Sequence, residues 1–202
     1  MNKLTTLVLF MPLVVWGCEG DGGSVPQSDN PEAAAGGACA FEKASPDWLY
    51  PDGPYGSDAG DRISDFELTN CDGQPTRLAD VLHKADIVLL NIGAGWCTTC
   101  EDETETMEAD LQAPFCSDGL GIVQVLVEDK AGLPATKLFC KQWEARFGLS
   151  FPVLIDPLGK LSDLMGGDEV PINILLDSDG VILDRSSGFA PGDLDMKIDA
   201  LL

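Results

Sequence analysis

The chain has 202 residues, of which 45% are hydrophobic and 23% are charged, and its formal net charge is −22. This length and composition indicate one globular domain with a core of its own. The negative charge excludes partners that require a basic face, namely nucleic acid and anionic lipid surfaces. A single histidine, His83, excludes sites built on several imidazoles.

The first 17 residues have the pattern of a bacterial signal peptide. Lys3 supplies a positive start, and residues 4–16 form an apolar stretch that is too short to span a bilayer. A glycine and Cys18 follow, which resembles a lipobox, although Trp16 departs from its usual small or aliphatic residue. We therefore predict a lipid anchor on Cys18 and a place on the periplasmic face of a membrane. A plain secretory signal is the alternative, and both predict export to an oxidising compartment.

The segment after the signal peptide has the composition of a linker. Residues 18–38 are rich in Gly, Ala, Ser and Pro and lack apolar periodicity, which is typical of a flexible tether. We interpret residues 39–60 as an N-terminal arm and residues 61–202 as the folded domain.

The first half of the domain alternates between strand and helix patterns. Residues 65–78 alternate in polarity around Asp72-Gly73, which predicts a hairpin, and residues 78–85 predict a short helix. Apolar runs at 86–94 and 121–129 have the length of buried parallel strands. Residues 98–113, between these runs, lack Gly and Pro and predict a helix.

The second half begins with an amphipathic helix predicted over residues 133–148, with Pro134 in its first turn and Gly148 at its end. The remaining predicted elements are a short strand at 151–156, a short helix at 157–166, a hairpin at 172–186 that turns on Asp179-Gly180, and a helix at 191–202. This order predicts an α/β fold with a mixed central sheet flanked by helices and an N-terminal hairpin extension.

The cysteine count is odd, with seven cysteines in the chain. When Cys18 is assigned to the lipid, an even number remains, which can form three disulfides or one redox pair and two structural disulfides. The six are Cys39, Cys71, Cys97, Cys100, Cys116 and Cys140.

Cys97 and Cys100 form a Cys-x-x-Cys motif directly after Trp96. Structural zinc would need a second ligand pair at similarly short spacing. The next cysteines, Cys116 and Cys140, are too far apart in sequence to form such a pair. A thioredoxin-fold copper carrier would need a wider cysteine spacing and a later histidine, and no histidine follows the motif. A purely structural disulfide would constrain little, because its cysteines lie on adjacent turns of one helix. The motif therefore predicts a redox couple with no metal and no cofactor.

The motif and the order of elements resemble the thioredoxin fold, and more narrowly the exported redoxins of the TlpA and ResA type, which are related to the AhpC/TSA redoxins. The matching stretches are DFELTNCDGQPTRLADV, VLLNIGAGWCTTC and VPINILLDSDGVI. The resemblance implies a thiol–disulfide oxidoreductase that acts on extracytoplasmic protein thiols and disulfides. It also implies an electron-donating thiol protein and a monomeric enzyme.

The resemblance further implies roles for residues in and near the motif. Cys97 would be the exposed nucleophile at a helix N-terminus, and Cys100 would be the resolving thiol. Glu103 matches a glutamate that assists proton transfer in ResA-like proteins. Asn91 takes the place of the buried aspartate of thioredoxin.

The same resemblance implies a substrate-binding face. Pro171 would be a cis-proline opposite the disulfide, the backbone of Val170 would pair with an extended substrate, and Trp96 would belong to the same face. Ile172 replaces the threonine that usually follows the cis-proline, which leaves the substrate open.

For the remaining cysteines we interpret Cys39–Cys71 and Cys116–Cys140 as structural disulfides. The first would join the arm to the hairpin turn, and the second would join a loop to a helix. Each would stabilise the fold by ~2–4 kcal/mol by restricting the unfolded chain. The alternative is a relay pair that passes electrons to the Cys-x-x-Cys motif.

Two other functions are alternatives to the oxidoreductase. A peroxiredoxin-like thiol peroxidase needs an arginine near its reactive cysteine, but no arginine stands between Arg77 and Arg146. A binding lipoprotein with an inactive redoxin domain would not need the intact cysteine pair and proline.

Segment 85–129 contains acidic residues but no Lys or Arg. These negative charges oppose a thiolate on the Cys-x-x-Cys motif, which favours the disulfide form and predicts a reducing potential.

Overall fold

A computed structural model of the chain describes residues 48–166 and 169–202, without the side chain of Ser162. The predicted signal peptide, the tether with Cys18, and the first part of the arm with Cys39 lie outside the described residues. Within the described ranges, the helices lack the combination of length and hydropathy that a membrane crossing requires.

The described strands form one mixed sheet in the order β2-β1-β5-β4-β3-β6-β7. They are β1 (Glu67–Asn70), β2 (Pro75–Arg77), β3 (Ile87–Gly93), β4 (Leu120–Leu126), β5 (Val153–Ile155), β6 (Ile172–Asp177) and β7 (Ile182–Ser187). Strand β4 runs parallel to β3 and β5, and the other pairs are antiparallel. The predicted α/β architecture with a mixed sheet is confirmed.

Helices follow most of the strands. They are α1 (Leu78–Leu82), α2 (Thr98–Thr106), α3 (Ala113–Phe115), α4 (Lys137–Phe147), α5 (Lys160–Leu164) and α6 (Asp193–Leu201). A π-helical segment, Met107–Gln112, connects α2 to α3, and a 3₁₀ turn, Cys116–Asp118, follows α3. The helix predicted over 98–113 is therefore real, but its hydrogen-bond pattern changes at Met107.

The core lies on both faces of the sheet. Val88, Leu90 and Ile92 of β3 belong to one apolar cluster, whereas Ile87 and Leu89 belong to the other. This alternation follows from the two-residue period of a strand. Because both faces are covered, β3 and β4 are buried along their whole length, as their apolar runs predicted.

The predicted N-terminal hairpin is confirmed as β1 and β2. Gly73 has a φ of 85°, a left-handed conformation that favours glycine, and its N–H donates to the carbonyl of Asn70 at 2.9 Å. Because β1 also pairs with β5, the hairpin extends the central sheet.

The predicted start of α4 is wrong. The helix begins at Lys137 because Thr136 caps it, its hydroxyl oxygen accepting the N–H of Phe139 at 3.2 Å. Pro134 lies before the helix, in a bridge with Glu128. A capping threonine is a stronger start signal here than a proline in a first turn.

The predicted pairing of the structural cysteines is also wrong. Cys71 is bonded to Cys140, which excludes both Cys39–Cys71 and Cys116–Cys140; Cys116 is disulfide-bonded as well. The reason is tertiary: the sulfurs of Cys71 and Cys140 each lie 3.6 Å from the carbonyl oxygen of Val153 on β5. Strand β5 therefore brings the hairpin turn and α4 together across 69 residues.

Candidate active site

Cys97 and Cys100 lie where β3 is followed by α2. Strand β3 ends at Gly93 and α2 begins at Thr98, so Cys97 caps the N-terminus of the helix. The Sγ atom of Cys97 accepts a hydrogen bond from the N–H of Cys100 at 3.1 Å. The two cysteines are joined in a disulfide, at the helix end that favours negative charge.

The disulfide is more buried than the expected exposed nucleophile. Cys97 is 6% exposed and Cys100 is 1% exposed. The side chains of Val127 and Val170 pack against the pair, whereas the neighbouring Trp96 is 51% exposed. An incoming group therefore reaches Cys97 before it reaches Cys100.

The turn that presents Cys97 requires a glycine at position 95. A Cβ atom there would lie 2.8 Å from the carbonyl carbon of Asp129 and 2.9 Å from the backbone nitrogen of Lys130. The loop after β4 therefore fits closely against the turn before the motif. The indole N–H of Trp96 strengthens this contact by donating to Glu128 at 2.6 Å.

The predicted cis-proline is confirmed. The Val170–Pro171 peptide bond is cis, and the carbonyl oxygen of Val170 lies 3.5 Å from Sγ of Cys97. Pro171 is buried immediately before β6. Residues 73 positions apart in sequence thus meet at the disulfide.

Glu103 lies one turn beyond Cys100 on α2 and is 1% exposed. Its two carboxylate oxygens accept hydrogen bonds from the side-chain amides of Asn91 at 2.8 Å and Asn173 at 2.6 Å. Burial raises the pKa of Glu103 to about 7, and the two amide donors limit the increase. A carboxyl group with this pKa can both accept and release a proton near neutral pH.

The two asparagines belong to a buried polar network that crosses three adjacent strands. Asn91 of β3 is in register with Asn173 of β6 and Gln124 of β4. The amide of Gln124 donates to Asn91 at 2.9 Å and to Thr104 at 2.8 Å, and it accepts the indole N–H of Trp143 at 2.8 Å. The network therefore connects α4 to the active-site helix.

Sequence reasoning missed Asn173, Gln124, Thr104 and Trp143 as parts of the site. A signal was present, because a single polar residue interrupts each of the apolar stretches LLNIG, IVQVL and INILL. A polar residue inside a buried strand needs a hydrogen-bond partner. Three such residues on neighbouring strands indicate a shared network.

Although segment 85–129 has no Lys or Arg, two cations from outside it contact the active-site helix. Glu101, in the first turn of α2, forms a two-bond ion pair with Arg146 at 2.8 Å for each bond and a second ion pair with Lys130 at 3.0 Å. The hydrogen bond from Arg146 is the main reason that the pKa of Glu101 falls to about 2. Both cations come from elements later in the chain, so segment 85–129 did not reveal them.

Known proteins resemble this chain in sequence. The sequence model of the AhpC/TSA family matches residues 59–185. The thiol-disulfide oxidoreductase ResA of Geobacillus thermodenitrificans (strain NG80-2) is 32% identical over 123 residues, which is 61% of this chain and 66% of that protein. The chain thus spans about two thirds of the length of this relative.

Solved structures share the fold. A protein described as the thiol:disulfide interchange protein DsbE from Chlorobium tepidum superposes with a TM-score of 0.61 at 29% identity, over 71% of this chain and 97% of that one. The exposed lipoprotein thioredoxin Etrx1 from Streptococcus pneumoniae strain TIGR4 superposes with a TM-score of 0.53 at 30% identity, over 68% of this chain and 99% of that one. The thioredoxin-like fold predicted from sequence is confirmed.

Proposed function

The chain belongs to the AhpC/TSA family and carries the disulfide of a thioredoxin-fold thiol–disulfide oxidoreductase, and from this premise we propose that it reduces disulfides of exported proteins. The observation that supports this best is the placement of Cys97. Its Sγ caps a helix N-terminus and lies 3.5 Å from the Val170 carbonyl that precedes the cis-proline. An extended substrate that pairs with this backbone would bring its own sulfur to Cys97.

The reaction begins with the reduced enzyme. The thiolate of Cys97 attacks one sulfur of the substrate disulfide, the substrate S–S bond breaks, and the departing sulfur takes a proton. This step forms a mixed disulfide between Cys97 and the substrate. The helix N-terminus and the N–H of Cys100 stabilise the attacking thiolate.

The second step releases the substrate. Cys100 loses its proton and attacks Sγ of Cys97, which closes the Cys97–Cys100 disulfide and frees the second substrate thiol. Two electrons have then passed to the substrate. A dithiol donor protein restores the reduced enzyme by the reverse exchange.

Glu103 is the proposed proton acceptor for Cys100. It lies one turn away on the same helix, and its pKa of about 7 allows it to take the thiol proton and return it to solvent in each cycle. The half-exposed ring of Trp96 provides apolar surface beside Cys97 for the substrate.

We place the enzyme at the periplasmic face of a membrane, where a lipid on Cys18 would hold a monomer through the tether 18–38. The support is the signal-peptide pattern together with the lipobox-like sequence. Replacement of Cys18 by Ser should move the protein from the membrane fraction to the soluble fraction. Unchanged fractionation would count against the lipid anchor.

A trapping experiment tests the proposed reaction. The Cys100→Ser variant should accumulate mixed disulfides through Cys97 with its substrates, which mass spectrometry of non-reduced complexes will identify. The Cys97→Ser variant is the matched control and should trap little. Equal trapping by both variants would contradict the assigned roles.

A second assay separates this function from the peroxidase alternative. Wild-type enzyme should reduce insulin disulfides in the presence of a dithiol donor and should consume peroxide slowly. A peroxidase would need an arginine near the reactive cysteine. Arg146 lies beside α2, but its guanidinium is paired with Glu101. Rapid peroxide consumption with little insulin reduction would favour the peroxidase.

A further inference from the structure

A continuous chain of hydrogen bonds runs from α4 to the carboxylate of Glu103. The indole N–H of Trp143 donates to Oε1 of Gln124, and Nε2 of Gln124 donates to Oδ1 of Asn91. Nδ2 of Asn91 donates to Oε2 of Glu103 and also to Oδ1 of Asn173. Nδ2 of Asn173 completes the chain by donating to Oε1 of Glu103 at 2.6 Å.

The direction of this chain is set by a donor at its first member and agrees with the acceptors at Thr104 and Glu103. An indole N–H can only donate, so Gln124 must present its oxygen to Trp143 and its NH₂ group to the opposite side. Asn91 must then present its oxygen to Gln124, which directs its NH₂ group to Glu103. Reversal of a single amide would set two donors or two acceptors against each other.

We propose that Trp143 is a remote positioning residue for Glu103, because its indole N–H fixes the orientation of Gln124 and Asn91 and so keeps two N–H donors on the carboxylate. This inference rests on the role in proton transfer that is proposed for Glu103. Trp143 contacts neither the reacting sulfurs nor the substrate in this scheme. Its effect is transmitted through Gln124, which also donates to Thr104 at 2.8 Å, and through Asn91.

The consequence concerns the proton affinity of Glu103. Donors on both oxygens favour the charged form and oppose the effect of burial. If the first donor is lost, Gln124 keeps its hydrogen bond to Thr104 but loses the contact that holds its oxygen. We expect Gln124 and Asn91 then to rotate more freely, so that an amide oxygen can face Glu103. An acceptor in that place favours the protonated form, so the pKa of Glu103 would rise further.

Other titratable groups around Glu103 do not provide this control. Asp110 of the π-helical segment and Asp195 of α6 line a cavity of about 60 Å³ together with Glu103, and the lining includes no Lys or Arg. Cys100 lies on the same helix, and the partners from β3 and β6 are uncharged amides. The amide donors are thus the groups that stabilise the carboxylate.

Trp143 also contributes to the core, so its substitution must preserve packing. It is 1% exposed, and its ring packs against Phe139 and Phe147 with centroid distances of 5.7 and 4.7 Å. Trp143→Phe removes the N–H and keeps an aromatic ring. Phe147→Leu is the matched control, because it disturbs the same cluster and leaves the donor in place.

The test is a pH titration of Glu103 in the full chain by ¹³C NMR of labelled glutamate carboxyl carbons, with the signal assigned from its absence in Glu103→Gln. In Trp143→Phe the midpoint should rise by about 0.5–1 pH unit. The pH at which insulin reduction reaches half of its maximum should rise by the same amount. Phe147→Leu should change neither value.

Two further variants keep the test decisive. Gln124→Met interrupts the same chain at its second member and should reproduce the shift, and the double variant with Trp143→Phe should add nothing to it. An unchanged midpoint in either folded single variant would overturn the inference, as would an equal shift in Phe147→Leu. Because the titration does not require activity, an inactive enzyme would refute the proposed function without affecting this result.

Discussion

The two disulfides Cys97–Cys100 and Cys71–Cys140 are alike in burial but different in their surroundings. All four cysteines are at most 6% exposed, and in both pairs a sulfur lies about 3.5 Å from a backbone carbonyl oxygen. The first pair caps a helix beside the half-exposed Trp96. The second lies in the apolar cluster between the hairpin and α4.

This difference shows that burial of a sulfur does not by itself distinguish a redox pair from a structural one. The first disulfide spans three residues and lies one turn from a carboxyl group with a pKa near neutrality. The second spans 69 residues. A long span restricts the unfolded chain much more than a short one, so we assign chemistry to the first pair and stability to the second.

The largest expected effect is on catalytic activity, which should depend on the Cys97–Cys100 pair and not on the Cys71–Cys140 pair. Cys97→Ser should reduce the rate of insulin reduction by roughly three orders of magnitude or more, because the nucleophile is lost. The double variant Cys71→Ala/Cys140→Ala should keep most of the activity at a temperature where it is folded. If the double variant lost activity to the same extent, the second pair would be an electron relay.

The second effect is on stability, where loss of the Cys71–Cys140 disulfide should matter more than loss of the Cys97–Cys100 disulfide. Loss of the 69-residue link in Cys71→Ala/Cys140→Ala should lower the free energy of unfolding by roughly 2–5 kcal/mol, measured by urea titration. Cys97→Ser/Cys100→Ser should lower it by less, because so short a loop constrains little. A larger loss in the motif variant would remove this distinction between the pairs.

The third effect is the pH dependence that Glu103, one turn from the Cys97–Cys100 disulfide, gives to the free energy of unfolding. Its pKa rises from 4.5 in the unfolded chain to about 7 in the fold, so its contribution to stability is complete below pH 4.5 and is lost as pH rises through 7. Glu103→Gln removes this loss. Between pH 4.5 and 8 the stability of the variant should therefore improve relative to wild type by roughly 3 kcal/mol.

The control for this measurement is Glu105→Gln, an exposed residue on the same helix. It should leave in place the pH dependence that Glu103 causes. Any constant cost of placing an amide against the two asparagine donors cancels when the two pH values are compared. A parallel pH dependence in wild type and Glu103→Gln would show that Glu103 titrates normally.

The smallest effect is on the reduction potential of the Cys97–Cys100 couple. We expect a value nearer to about −270 mV than to −120 mV in glutathione equilibrium. Arg146→Gln leaves Glu101 less compensated beside the thiolate and should lower the potential by roughly 5–20 mV. Lys141→Gln, which removes an ion pair with Asp72 near the other disulfide, should leave it unchanged.

A potential above about −180 mV would make the protein an oxidant and contradict the reducing function. A shift of the same size in Lys141→Gln would show that only the net charge matters. The comparison of the two variants therefore separates a local ion pair from the general acidity of the chain.

Sequence alone determined the features that depend on neighbours within a few residues. Turn residues at Asp72-Gly73 and Asp179-Gly180 predicted both hairpins, and the apolar run before Trp96 predicted the buried strand that presents the motif. The cis-proline was predicted from family resemblance, since a local motif carries it. These features needed no knowledge of the remaining chain.

The tertiary structure alone decided which distant groups meet. Cys140 is 69 positions from its partner Cys71, Arg146 is 45 positions from Glu101, and Asn173 is 70 positions from Glu103. The periodicity of apolar residues in the sequence predicts which face of a helix or strand is buried, but it does not predict which other element packs against that face. Because the pKa of a carboxyl group depends on burial and on these contacts, the ionisation of Glu101 and Glu103 became visible only in the folded chain, whereas the redox couple was predicted from sequence.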